Sequence, residues 1–110
     1  MTQRRVAITG LGIISPYGGD LPDFFARLLA GESGVRALNA DVGEGTGVSI
    51  AGRVPSQEED PQAGWSAEAV ISTKELRRMD RFIAFELGAA DQALAHAKWV
   101  HPNAEQPEQA

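Results

Sequence analysis

Cysteine is absent from this 110-residue chain, which excludes disulfides, thiolate metal sites and any thiol nucleophile of its own. Histidine is scarce: His96 and His101, five apart with Pro102 after the second, are badly spaced for a helical pair of metal ligands, so no metal or other cofactor is implied. No stretch approaches the ~20 apolar residues that cross a bilayer. Nor does the N-terminus carry an apolar signal core followed by a small-residue cleavage site, and the expectation is a cytoplasmic chain without membrane contact. Basic residues number 10 against 15 acidic, a formal charge of −5, so the overall field attracts neither nucleic acid nor anionic lipid. Any cationic site has to be local. With 43% hydrophobic residues, a chain of this length makes at most one small domain.

The pattern along the chain is α/β. Val6-Ala7-Ile8 is a short apolar, partly β-branched run after two arginines, as in a strand buried on both faces. Gly10, Gly12 and Ser15-Pro16 end it. Asp20 is placed to N-cap a helix that tolerates Pro22 in its first turn, runs through Phe24, Phe25, Leu28 and Leu29, and stops at Gly31. From Val35 to about Ser66 glycines interrupt the pattern, and Gln57-Glu58-Glu59-Asp60-Pro61 reads as solvated acidic loop; within it Val48 to Val54 alternates enough for one short strand. Ser72 with Glu75 forms a capping-box pattern at the head of a helix of about 25 residues. Its predicted core stripe is Leu76, Met79, Ile83, Leu87, Ala90, Leu94 and Ala97, widened by Phe82, Phe85, Ala89 and Ala93. So broad a face expects cover from more than one side, and this chain has little with which to cover it. Pro102 to Ala110 holds no large apolar residue and is expected to be disordered.

Two motifs invite chemistry. Gly10-Leu11-Gly12 after a strand suggests a dinucleotide-binding turn, but Ser15 stands where the third glycine belongs and no acidic residue ends a second strand. Glycines that permit a tight turn and close packing are the simpler account. Lys74-Glu75-Leu76-Arg77-Arg78-Met79-Asp80-Arg81 carries four basic residues in eight positions. Lys74, Arg77 and Arg78 fall at i, i+3 and i+4, one helical face, close to a helix N-terminus whose dipole disfavours them. The spacing alone fits a solvated face partly neutralised by Glu75 and Asp80; it also fits a docking patch for an acidic partner. Tyr17, Phe24, Phe25 and Phe82 have nothing that prefers a ligand over a core, and Trp65 and Trp99 flank the long helix as loop anchors.

Three segments, in order and at matching spacing, resemble the β-ketoacyl-[acyl-carrier-protein] synthases of the elongating, second-type class. They are Arg4 to Gly18, Phe24 through Leu28-Leu29-Ala30-Gly31-Glu32-Ser33-Gly34-Val35, and Lys74 to Phe82 with its Met-Asp-Arg-Phe ending. The resemblance covers nearly all of residues 1–99, a partial synthase N-terminal domain, with 100–110 as the tail. It implies an incomplete thiolase-like fold: first strand, first helix, a short strand and a long core helix. It also implies a homodimeric acyltransferase that condenses acyl and malonyl groups on acyl carrier protein with loss of CO₂, in fatty acid or polyketide synthesis. The family's cysteine and paired histidines match nothing here, His96 and His101 included, so no catalytic residue carries over. Lys74, Arg77 and Arg78 match the basic residues on which the family receives the carrier protein. The alternative reading is a non-catalytic interaction subunit that pairs with a full synthase.

Overall fold

A computed structural model describes residues 3–100; His101 and the tail expected to be disordered lie outside the described residues. The segment expected to be a buried first strand does not form one. Val6 and Ile8 are 91% and 81% exposed, and among the described residues no strand pairs with them. A β-branched run gains from the extended state only when a neighbour completes its ladder, and none does so here. The chain just beyond this run is fastened to a helix instead. Leu11 N–H donates to His96 Nδ1 and Ile13 N–H to Gln92 Oε1, both at 3.0 Å. Gly10 and Gly12 lie so close to the backbone of that helix that a Cβ on either would overlap the Ala93 or the Ala89 carbonyl oxygen. The glycines thus allow close packing, as expected, but against a helix.

Ser15-Pro16-Tyr17-Gly18 then makes a tight turn closed by reciprocal backbone bonds between Ser15 and Gly18, which sits at φ +106°. Helix α1 (Leu21–Leu29) begins as expected: Asp20 Oδ2 accepts from Asp23 N–H at 3.1 Å, Pro22 occupies the first turn, and Gly31 past the end adopts φ +77°. Strand β1 (Val35–Ala37) pairs antiparallel with β2 (Ile50–Gly52), and a one-turn helix α2 (Ala40–Gly43) lies in the connection. The short strand expected within Val48 to Val54 is β2; its partner β1 and helix α2 fall where the sequence reads as loop.

The expected 25-residue helix is two helices. Ser72 Oγ accepts from Glu75 N–H at 3.3 Å, and α3 (Thr73–Leu76) starts there as the capping pattern predicts. It then tightens through bonds from Arg78 N–H to Glu75 O and from Met79 N–H to Leu76 O. Asp80, extended at φ −74° and ψ 159°, begins α4 (Arg81–His96). The break relieves the conflict visible in the sequence: Arg77 and Arg78 come to lie at the carbonyl end of a helix rather than inside the first turns of one.

The stripe predicted for the core is also corrected. Leu87 and Leu94 are 45% exposed and Phe82 65%, whereas the buried positions of α4 are Ala84 and Gly88. The helix packs by its small residues, against Gly10, Gly12 and Trp65, because backbone can approach it only where side chains are short. Among the described residues the buried hydrophobic side chains are Ala63, Ile71 and Ala84.

The loop around 54–66 is the hub. Ala63 O accepts from Gly19 N–H at 2.8 Å and Trp65 N–H donates to Pro55 O at 2.9 Å. The Trp65 ring meets Phe85 edge-on at 5.5 Å and lies over Gly88, where a Cβ would come within 2.6 Å of Cζ2. Trp65 is thus a loop anchor, as expected. The acidic run is only partly the solvated loop it resembles: Asp60 reaches Arg27 of α1 at 2.7 Å, with 11% of its side chain exposed.

Candidate docking surface

Lys74 lies within α3, Arg77 caps it in helical conformation, and Arg78 is in the turn after the cap. All three are exposed. The single helical face expected for them is therefore one turn of helix with its cap and the next residue. Glu75 and Asp80, the neutralising partners of the simpler reading, make no ion pair with them; among the described residues every ion pair involves Arg27. The turn presents three cations whose nearest acidic neighbours in sequence do not clasp them.

Arg81, the fourth basic residue of the segment, is engaged elsewhere. Its guanidinium donates to Val54 O at 3.3 Å and sits 4.9 Å from the centre of the Phe85 ring. Beside it an open cleft of about 560 Å³ runs between the 56–68 loop and the α3–α4 junction, with Trp65, Leu76, Met79 and Ala84 on its walls and Glu58, Glu68 and Asp80 among its polar groups.

A second charged cluster is structural. Arg27 meets Asp23 and Asp60, each at 2.7 Å, and Gln62 Nε2 donates to Asp23 Oδ1 at 3.0 Å. Asp23 Oδ2 is buried and outside hydrogen-bond alignment, yet the 2.7 Å approach of Arg27 Nε pairs its charge. The hydrogen bond from Arg27 holds the Asp60 carboxyl below its ordinary range, helped by the Ala63 and Gln62 N–H groups; the same bond raises Arg27. Glu59 is lowered chiefly by the backbone N–H and hydroxyl of Ser56. Sequence reasoning missed the Arg27 cluster because Asp60 lies 33 residues from Arg27, although Asp23 and Arg27 are an i,i+4 pair on α1.

No group of three or more His, Cys, Asp or Glu side chains that could hold a metal occurs among the described residues. The dinucleotide-turn reading fails on geometry: Gly10 and Gly12 lie against the C-terminal half of α4, not at the mouth of a helix. His96 Nδ1 is occupied by Leu11 N–H.

A tight Ser-Pro-Tyr-Gly turn leading into α1, a two-stranded sheet and an exposed basic helix turn define a small α/β segment with a cation-bearing surface. The model of the β-ketoacyl synthase N-terminal domain matches residues 3–109, and the chain belongs to that family. It is 38% identical over 96 residues to the 3-oxoacyl-[acyl-carrier-protein] synthase 2 of Rhizobium meliloti, a match covering 87% of this chain and 23% of the relative. The synthase of the same name from Coxiella burnetii is 37% identical, with 84% and 20% covered. The chloroplastic 3-oxoacyl-[acyl-carrier-protein] synthase I of Hordeum vulgare is 35% identical, with 86% and 19% covered. The chain thus spans about a fifth of the length of these relatives. No helix among the described residues is long and apolar enough to cross a membrane.

Proposed function

We propose that the chain is the N-terminal segment of a 3-oxoacyl-[acyl-carrier-protein] synthase. By itself an incomplete thiolase-like fold, in that enzyme it contributes part of the complete fold and part of the surface that receives acyl carrier protein. The whole enzyme would be a homodimeric acyltransferase of the cytoplasm, joining an acyl group to malonyl carrier protein with loss of CO₂. The chain alone would not catalyse, because the thiolate that such a condensation needs as nucleophile has no cysteine to supply it. The observation that carries the docking role is the exposed turn bearing Lys74, Arg77 and Arg78, without ion-pair partners among the described residues. An acidic partner would be drawn to these cations mainly through encounter rate, in a salt-dependent way.

The test is a chimaera in which this chain replaces the aligned stretch of the Rhizobium meliloti synthase. Changing Lys74, Arg77 and Arg78 to glutamate together should raise the KM for carrier protein by roughly tenfold or more at low salt, at about 0.5–1 kcal/mol per exposed contact. The difference should shrink as ionic strength rises, and turnover of a small acyl thioester should hold. Unchanged carrier affinity with collapsed small-substrate turnover would make the cluster structural.

A further inference from the structure

Four cations crowd the α3–α4 junction, and a charge-based reading treats them alike. The contacts separate them. All four, Arg81 included, are exposed and outside every ion pair among the described residues; what sets Arg81 apart is its side-chain contacts. Arg81 is tied down on two sides: a hydrogen bond to Val54 O fastens the first residue of α4 to the loop after β2, and its guanidinium lies near the Phe85 ring one turn along the helix. Phe85 in turn meets Trp65, and Trp65 fills the space over Gly88. A continuous stack therefore runs from Val54 through Arg81, Phe85 and Trp65 to the middle of α4. The chain bends at Asp80, immediately before Arg81, and Asp80 makes no side-chain cap bond of its own. With that cap absent, the Arg81 contacts hold the first turn of α4, while the short 3-10 helix Ala67–Ala69 packs against both α3 and α4.

We propose that Arg81 is a positioning residue that sets the α3–α4 elbow and so aims Lys74, Arg77 and Arg78, and that it is not itself a docking cation. This rests on the docking function proposed above and goes beyond it by dividing the basic segment into three contacts and one brace. A planar guanidinium can stack on a ring while donating to a carbonyl; a lysine ammonium is a hydrated point charge that does both poorly. Charge conservation should therefore not rescue the site.

In the same chimaera, Arg81→Gln and Arg81→Lys should each raise the carrier KM by about two- to fivefold, the range of a single lost exposed contact. The slope of log KM against log salt should stay that of the parent, because no docking charge has been removed. Turnover of a small acyl thioester should be unchanged. The Arg81→Lys chimaera, the milder change, gives a second measurement should Arg81→Gln fold poorly. A shallower salt slope in Arg81→Gln restored by Arg81→Lys would make Arg81 a docking cation and overturn the proposal. Parent-like KM values in both variants would overturn it as well. If the Lys74, Arg77 and Arg78 reversal leaves carrier affinity intact, the docking function has failed first, and that result is distinct from either Arg81 outcome.

Discussion

Single residues in this chain matter most where a glycine admits a close neighbour. Gly88 is buried under the Trp65 ring, with no room for a methyl group. Gly88→Ala should destabilise the chain by about 1–3 kcal/mol, as overpacking does, and should shift the tryptophan fluorescence; denaturant melts of the two proteins check this. Asp60 gives a pH signature of definite sign. Its carboxyl is held below its ordinary value of 3.8, first by the Arg27 hydrogen bond. A lowered folded-state pKa means that the unfolded chain binds the proton more readily. The stabilisation is therefore complete above about pH 4 and is lost as pH falls through the folded-state value. Asp60→Asn should accordingly unfold more easily than the parent at about pH 6, with the gap closing on acidification toward about pH 3. A gap that is constant with pH would mean that the carboxylate's charge is not what Arg27 uses.

At the scale of elements, α1 and α4 illustrate how far local signals reach. Asp20, Pro22 and Gly31 mark the ends of α1 by chemistry confined to the helix itself, and the helix forms where they place it. The break at Asp80 was half legible. Cations near a helix N-terminus run against the dipole, and Asp is a strong N-cap residue, but the apolar spacing from Leu76 to Ala97 continues through the break and masks it. The face of α4 that packs could not be read from that spacing at all. Leu87 and Leu94 satisfy the helical period as well as Ala84, Gly88, Gln92 and Ala93 do; which face turns inward depends on Gly10 and Gly12 approaching from more than 70 residues away. Two elements, β1 and α2, lacked any signal strong enough to stand out from the surrounding glycines.

For the whole molecule, the apolar surface is left open. Phe25, Leu29, Ile50 and Phe82 are each more than half exposed, with Val6 and Ile8 more so, while the buried hydrophobic side chains among the described residues are Ala63, Ile71 and Ala84. Exposed apolar surface on this scale favours association, and unpaired extended segments add to it. The isolated chain should bind a hydrophobic dye strongly and unfold without a sharp transition. Cooperative unfolding of a dye-excluding monomer would instead show a closed core and favour an interaction subunit over a synthase segment.

What the sequence determined by itself is what depends on composition or on neighbours in the chain. The lack of a thiol, the ends of α1, the start of α3 at Ser72 and the order of motifs that mark the family are all of this kind. The three cations of the proposed docking surface were legible as residues, though not in their arrangement on one turn, its cap and the residue beyond. The tertiary structure alone decided that the 54–66 loop is the hub, that Asp60 pairs with Arg27, that Arg81 turns to Val54 and Phe85, and that Val6 to Ile8 pairs with nothing among the described residues. Each of these is a contact between positions distant in sequence, and its free energy comes from burial, charge pairing or a hydrogen-bonded ladder that exists only once both sides are in place. Propensity and periodicity, being local, carry no record of the other side.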